Sequence, residues 1–592
     1  MKIRYLNGER LYYAFLAGGN AVINDKDYLN KINVFPVPDA DTGTNLAATM
    51  RSIAETSVVG KSLKTTFRSI ADAALAGARG NSGLIFAQFI HGLSNEIKSE
   101  HRITAANFAE SARRAVQSAY KAILQPVEGT MLTVMREWAE AIHEHASRTA
   151  DFVELLSFSL QRAKQSLLDT PKKLSVLAKA GVVDAGAKGF VDFIEGVLHF
   201  TRAGRLRKVS APAVALPEAE ARVHSFKGEI RERYCAEALL HGKDMDLDRV
   251  RSLVSSHGTS AIVAGSEEKI RFHVHTNSPA ELFFRINDIG SAVQLKVDDM
   301  RKQYEVSHNR KRRIALVTDS SCDLPPEFVD EQQIQVIPFN LSFGESLFLD
   351  KLTIMPEQFY TLLKTRREHP QTSVAGIAAV ENLFSYLSTF YDSILVFHIS
   401  AKLSGALGFS QQAADKVKRK KITIINSKNL SLTLGLIVKR AVEALDRGAS
   451  HDEVVRMSEE WIAKTRLWAD IATLKYMVRG GRISPMKGLV ARLFHLKPII
   501  TLDEEGKGTS LGKSFSRRGN MKKILRHVAE AASRGKVWQY AVVHAQNLAR
   551  ARIYAQKLGK MLGRPPAFVM DISPVVGAHN GIGVVGVGLM LE

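Results

Sequence analysis

Along residues 1–202 apolar side chains return every three or four positions, the period of an amphipathic helix, in Thr44–Ala54, Phe67–Leu75, Asn107–Ile123 and Met131–His143. In the last of these, Met131, Val134, Met135, Trp138 and Ile142 fall on one face. Glycine-rich turns at Asp41–Gly43, Gly77–Gly83, Pro126–Gly129 and Gly181–Gly189 punctuate the helices, so an all-α domain is predicted over 1–202. Residues 203–224 carry two prolines, several alanines and mixed charge, and read as a linker. The period then shortens. Strands are predicted at Glu229–Ala236, Ser260–Ala264 and Ile270–Thr276, with helices at Asp246–His257 and Ala280–Ile289, giving a small α+β domain over 225–307. From 308 to 592, runs such as IALVTDS, IQVIPFNLSF, SILVFHIS, ITIIN, AVVHA and IGVVGVGLML alternate with helical stretches. That alternation predicts an α/β domain with a largely parallel sheet.

Composition narrows the class. The 592 residues are 45% hydrophobic and 24% charged, values of a folded multidomain chain rather than a disordered one. The longer apolar stretches are interrupted, Gly186–Phe200 by Lys188, Asp192 and Glu195, and the opening segment by Glu9 and Arg10. Neither a membrane span nor a signal peptide is expected. Cys235 and Cys322 are the only cysteines, too few for a disulfide framework, so a cytoplasmic location is expected. Lys and Arg number 81 against 60 Asp and Glu, a net charge of +21 that favours anionic partners. The basic runs Arg310–Arg313 and Lys416–Lys421 are not interleaved with aromatics, and no nucleic-acid-binding motif accompanies them. They read as solvated surface or as a means of transient docking on an anionic membrane; nucleic acid is not an expected partner.

Chemistry concentrates first in NVFPVPDADTGTN, residues 33–45. Pro36 and Pro38 stiffen an extended segment, so Asp39 and Asp41, two apart, can project their carboxylates together. The pair reads either as an Asp-rich helix cap or as two hard oxygen ligands for Mg²⁺. Thr42, Gly43, Thr44 and Asn45 then open a helix, whose free N–H groups favour phosphate. Further glycine turns carry Asn81 and Ser82, Thr130 and Met131, and Asp184 and Gly186. Four such turns in one helical domain point to loop ends gathered around a phosphate ligand. No GxxxxGK[ST] is present, so this is not a P-loop enzyme. In the middle domain, His273 and His275 stand two apart on a predicted strand and share a sheet face. If that strand pairs with the one bearing Cys235, the three form a zinc-like Cys-His-His set, with Glu237 or water as a fourth ligand. The alternative is a buried thiol beside two ordinary histidines.

NVFPVPDADTGTN, ARGNSG (78–83), PVEGTMLTV (126–134) and AGVVDAGAKG (180–189) together resemble the kinase domain of bacterial fatty acid kinase. That domain has the dihydroxyacetone kinase L-subunit fold, a barrel of antiparallel helices with ATP and magnesium at one end. The resemblance implies Asp39 and Asp41 as magnesium ligands, with Asn33 a further candidate. It also implies that Thr42, Gly43, Thr44, Asn45, Asn81, Ser82, Thr130, Met131, Asp184 and Gly186 line the nucleotide. Ala40 and Ala187 stand where the family has glycine, and Ala40 strains or rearranges the metal loop if its φ must be positive. YCAE (234–237), HVHT (273–276) and DDMRKQ (298–303) resemble the middle domain of the same kinase, where such residues hold a metal.

The last 280 or so residues resemble the DegV family, two α/β lobes holding a fatty acid in a tunnel between them. The matching segments are VTDSSCDLP (317–325), VIPFNLSFGE (336–345), QTS (371–373), ISAKLSGA (399–406), LKYMVRGGRIS (474–484), LKPII (496–500) and GAHNGIG (577–583). The resemblance implies that Thr372, Ser373 and Ser404 donate hydroxyls to the carboxylate and His579 its ring N–H, with Arg482 nearby. Val374-Ala-Gly376 and Ile582 depart from the family pattern, which bears on pocket shape. Jointly the resemblances imply an ATP-dependent kinase that makes acyl phosphate, for phospholipid synthesis, from a fatty acid held by its own C-terminal domain. A homodimer and contact with an acyl-phosphate acyltransferase are expected. The rival readings are a lipid carrier with a degenerate kinase half, and a dihydroxyacetone kinase.

Overall fold

The computed structural model describes residues 2–35, 40–203, 231–481, 497–514 and 516–592, excepting the Lys513 side chain. Two compact units result, one built mainly on residues up to Tyr304 and one mainly from Glu305 onward.

In the first unit, Gly8–Asn24, Thr42–Thr56, Leu63–Gly77, Gly80–Glu96, Ala105–Lys121, Met131–His145 and Phe152–Leu168 each pack on the next. Ala185–Ala203 packs on both Phe152–Leu168 and Gly8–Asn24 and closes the ring, a helical barrel. Its bore is filled by Phe67, Phe15, Phe193, Phe86, Phe190, Phe89 and Trp138, meeting edge to face at centroid distances from 5.0 to 6.2 Å. Such contacts stabilise beyond the area they bury. Local chemistry starts the helices: Ser62 and Thr65 form a reciprocal capping box, and Thr104 and Asp151 accept N–H groups of the helices that follow them.

A four-stranded antiparallel sheet belongs to the same unit, in the order Thr259–Gly265, Lys269–Thr276, Tyr234–His241, Ser291–Asp299. The second of the predicted strands thus begins at Thr259, and the first runs from Tyr234 to His241 rather than ending at Ala236. The sequence-based expectation lacks Ser291–Asp299, although Val293, Leu295 and Val297 alternate there with Gln294, Lys296 and Asp298. The sheet is fastened to the barrel by the Gly265 N–H on Gln88 Oε1 at 2.9 Å and by the buried Arg271, whose Nη1 donates to the Ala76 carbonyl at 2.8 Å. Beyond Ala203, the predicted linker lies outside the described residues.

The second unit corrects the expectation of a largely parallel sheet. One sheet is wholly parallel, in the order Lys421–Asn426, Ser393–His398, Ile314–Asp319, Gln335–Ile337. The other has six strands, Gly508–Ser514, Lys497–Leu502, Thr465–Asp470, Val585–Leu591, Val537–His544 and Val569–Asp571, and only the last two pair in parallel. Burial explains the misreading. Val585–Leu591 is covered on both faces, so its near-continuous apolar run looks parallel whatever its neighbours do. A small antiparallel sheet, Ser346–Leu349, Asn340–Phe343, Gln371–Ser373, completes the unit, because IQVIPFNLSF breaks at Pro338 into two strands.

Candidate functional site

The four glycine turns meet at one end of the barrel. Gly80 has φ +55°, and a Cβ there would lie 2.2 Å from Asn45 Nδ2, so this turn tolerates only glycine beside Asn45. Leu46 packs on Gly189, where a Cβ would lie 2.4 Å from Leu46 Cδ1. Asp184, buried at 6% exposure, accepts the Ala187 N–H at 2.8 Å and also the Met131 N–H, so one carboxylate caps two of the helices. Burial without a countercharge pushes its pKa up to about 6, against these two hydrogen bonds. Gly186 lies against Met131, and Thr130 precedes that helix with its hydroxyl on the Val127 carbonyl at 2.7 Å.

At the 33–45 loop, Asp39 lies outside the described residues, and Asp41 is half-buried with no cap bond from its side chain. Thr42 Oγ1 donates to Asn33 Oδ1 at 2.6 Å, tying the two ends of the loop. Ala40 has φ +55°, the left-handed region that costs a residue with a Cβ about 1–2 kcal/mol. Asn30 is a residue that sequence reasoning missed: its amide receives the Thr44 N–H at 3.0 Å and donates to Thr44 Oγ1 at 2.9 Å. The Thr44 N–H is therefore already engaged by the protein. Gly43 packs on the Lys26 carbonyl, and Asn81 and Ser82 lie half-buried in the first turn of Gly80–Glu96.

In the middle sheet, Cys235 faces His275 and Glu237 faces His273 across neighbouring antiparallel strands, so all four share one surface. One donor atom from each of Cys235, His273 and His275 lies within 4.8 Å of the others. Cys235 Sγ is 3.7 Å from His273 Nδ1, and the buried His273 Nε2 has no hydrogen-bond partner. Glu237 Oε1 lies 3.2 Å from His273 Nδ1 and accepts the Gly80 N–H at 2.9 Å. Although burial favours its neutral form, Lys296, His273 and Arg271 hold Glu237 well below the usual carboxylate range. Burial also opposes charge on His273, but the Cys235 sulfur and then the Glu237 carboxylate outweigh it and lift the imidazole to about 10.

In the second unit Thr372 Oγ1 and His579 Nε2 meet at 3.0 Å. Gly480 makes room for them, since a Cβ there would lie 2.3 Å from His579 Nδ1. The helix carrying His579, Pro574–Asn580, is anchored at its start by Asp323, which accepts the Ser573 N–H at 3.0 Å, and Asp350, which accepts the Val575 N–H at 3.3 Å. Lys351 Nζ donates to Asp323 at 2.8 Å, and burial pushes Asp350 up to about 7. Ser373 projects to the opposite side of its strand from Thr372, and its hydroxyl pairs with Asn340 Nδ2 at 3.4 Å. Ser404 accepts the Ala406 N–H at 3.2 Å on its hydroxyl oxygen. Arg482 lies outside the described residues. The basic runs are partly paired: Arg312 with Asp446, Arg313 with Asp392, Lys416 with Glu381 and Lys421 with Asp452. Among the described residues, no helix is long and apolar enough to cross a membrane.

Comparison with known proteins follows the same divisions. Residues 36–199 match the DAK2 domain, 231–307 the FakA-like middle domain of fatty acid kinase, and 313–592 the uncharacterised-protein DegV family. Uncharacterised proteins of Staphylococcus aureus, from strains bovine RF122 / ET3-1 and MRSA252, are each 36% identical over 315 residues. The match takes in 51% of this chain and 57% of each relative, so the chain spans little more than half of their length. Among solved structures, DegV, a fatty acid binding protein from Bacillus subtilis, is 26% identical and covers 47% of this chain and 99% of its own, with a TM-score of 0.44. A DegV family protein from Thermus thermophilus, described for its fatty acid binding, is 25% identical over 47% of this chain and 100% of its own, also at 0.44. In one chain and in this order lie a DAK2 domain, a FakA-like middle domain and a DegV-family domain, the domain set of a fatty acid kinase fused to a DegV-family protein.

Proposed function

We propose that this chain is an ATP-dependent fatty acid kinase that binds a fatty acid in its DegV-family domain and phosphorylates its carboxylate. The observation that carries the reading is the presence of the three domains on one chain in this order. A fatty carboxyl, with a pKa near ~4.3 like Glu, is already ionised at neutral pH, so no general base is required. Its oxygen attacks the γ-phosphorus, the bond to the β-phosphate oxygen breaks, and acyl phosphate and ADP are the products. Thr372 and His579 hold the carboxylate, joined by the Ser404 and Arg482 side chains; Ser373 contributes through the strand that sets Thr372. Asn45, Asn81, Ser82, Thr130 and the helix start at Thr42 and Gly43 receive the nucleotide, with Gly186 leaving space beside Met131 and Asp184 holding the helix starts at Met131 and Ala187 in place. Asp39 and Asp41, with Asn33 a further candidate ligand, would hold a magnesium ion, which would supply neutralisation of the phosphate charge. If the linker spans the two sites, fusion raises the acceptor's effective concentration to about millimolar.

The soft donor set of Cys235, His273 and His275 fits a structural zinc. Tetrahedral zinc with ordinary bond lengths separates a sulfur and a nitrogen ligand by about 3.6 Å. The 3.7 Å separation of Cys235 Sγ from His273 Nδ1 matches that requirement. The working setting is a cytoplasmic homodimer that passes acyl phosphate to an acyltransferase at an anionic membrane, for phospholipid synthesis. A second reading, a lipid carrier with a silent kinase half, is favoured by one observation, the positive φ forced on Ala40.

Purified protein with Mg-ATP and oleate, assayed by trapping acyl phosphate as hydroxamate, separates the two readings. Fatty-acid-dependent hydroxamate that disappears in Asp39→Ala/Asp41→Ala supports the kinase. Co-purified fatty acid without hydroxamate supports the carrier.

A further inference from the structure

At the carboxyl ends of the parallel strands Ile314–Asp319 and Ser393–His398, the position at which open α/β sheets bind ligands, lies a small pocket, partly open to solvent, with room at its base for a group of about the size of a hydroxyl. Phe339, Val374, Val380 and Phe409 give it an apolar wall, interrupted at one place by Asp319, His398 and Ser410. These three are each no more than 1% exposed. Asp319 Oδ2 faces His398 Nδ1 at 2.9 Å and also accepts the Ile399 N–H at 2.8 Å, while Oδ1 accepts from the Ser321 N–H and hydroxyl. A carboxylate so placed fixes the imidazole tautomer: Nδ1 donates and Nε2 accepts. Ser410 Oγ, 2.7 Å from His398 Nε2, therefore donates its proton to the ring. With that proton committed, the Ser410 oxygen offers the cavity lone pairs only.

An oriented acceptor in an otherwise apolar wall complements a ligand that brings its own O–H donor. The cavity also begins beside the carboxylate donors: Val374 follows the Thr372–Ser373 pair directly, and Ala406, two residues after Ser404, lines it too. We propose that Asp319, His398 and Ser410 form a subsite for the hydroxyl of a fatty acid hydroxylated near its carboxyl end, a 2- or 3-hydroxy acid. The inference rests on the fatty-acid reading of Thr372 and His579. The same three residue types serve nucleophilic hydrolysis elsewhere, but Ser410 sits inside helix Ala406–Lys416, where its own N–H belongs to the helix and is not available as an oxyanion donor.

The test is calorimetric binding of tetradecanoate, 3-hydroxytetradecanoate and 3-methoxytetradecanoate to the full chain. Wild type is expected to bind the hydroxy acid about three- to tenfold tighter than tetradecanoate, the worth of one net hydrogen bond. Ser410→Ala should bring the two affinities together, with tetradecanoate changed less than about twofold. The methoxy acid, which has no donor, checks the same point without a substitution and should lose the preference. An equal preference in Ser410→Ala, or methoxy bound as tightly as hydroxy, overturns the subsite, as does labelling of Ser410 by a fluorophosphonate. Tetradecanoate bound with no preference for hydroxyl overturns the subsite alone. Binding of none of the acids overturns the fatty-acid reading with it.

Discussion

Glu237 accepts the backbone N–H of Gly80 at 2.9 Å across 157 positions of chain. One partner, within ARGNSG, opens the helix Gly80–Glu96; the other stands beside His273 in the middle sheet. The bond couples the two elements, and it places an ionised carboxylate at a helix start where its charge is favoured. Removing it leaves the Gly80 N–H and His273 without their shared partner and Arg271 without the countercharge 3.9 Å away. Glu237→Ala is expected to cost about 3–5 kcal/mol in urea unfolding of the first unit, and Glu237→Gln, which keeps an acceptor, distinctly less.

Ala40 occupies left-handed backbone at φ +55°. Ala40→Gly relieves strain of about 1–2 kcal/mol, offset by about 0.4–1 kcal/mol from the freer unfolded chain. The net expectation is a rise of about 1 kcal/mol in stability, seen as a higher melting temperature, together with tighter Mg-ATP binding by calorimetry. Ala40→Val moves both the other way.

Asp184 titrates near 6 in the fold, where burial favours its neutral form, against 3.8 when unhindered. Between those values the native state keeps a proton that the unfolded chain releases. Stability from this group is therefore greatest below about pH 4 and falls as pH rises to about 6. Asp184→Asn keeps an acceptor for the Ala187 and Met131 N–H groups without the buried charge. Compared with wild type by denaturant unfolding, it should be near neutral at pH 4 and stabilising by up to about 3 kcal/mol at pH 7.

Thr372→Val removes a hydroxyl donor while keeping shape and β-branching on the edge strand Gln371–Ser373. Fatty acid affinity should fall about tenfold, as for loss of one hydrogen bond to a charged group. Ser373→Ala, whose hydroxyl pairs with Asn340 instead, should leave calorimetric affinity within about twofold.

Elemental analysis of the purified protein is expected to find zinc at one equivalent per chain. Cys235→Ser should lower it, and chelation should reduce the melting temperature of the first unit. Wild-type protein free of zinc and unaffected by chelator would mean that Cys235, His273 and His275 are an ordinary core cluster.

Much of this was already legible in residue patterns. The three-to-four spacing of Met131, Val134, Met135, Trp138 and Ile142 announces a helix with one buried face, because 3.6 residues complete each turn. The two-residue spacing of His273 and His275 places them on one sheet face for an equally local reason. Glycine turns before helices locate the ends at which those helices begin. In each case the determinant is the geometry of a single element, and that geometry is written in consecutive residues.

Tertiary structure decided what those faces meet. A period reports that a strand is buried, not which strand lies beside it, so neither the pairing of Cys235 with His275 nor the antiparallel course of Val585–Leu591 could be read from spacing. The contact of Thr372 with His579 spans 207 positions, and the grip of Asn30 on Thr44 depends on two helices packing at one angle. His398 shows the limit most plainly. In sequence it is one polar residue in an apolar run, and only the pairing of strand Ser393–His398 with Ile314–Asp319 and the approach of helix Ala406–Lys416 give its ring a carboxylate on one side and a hydroxyl on the other.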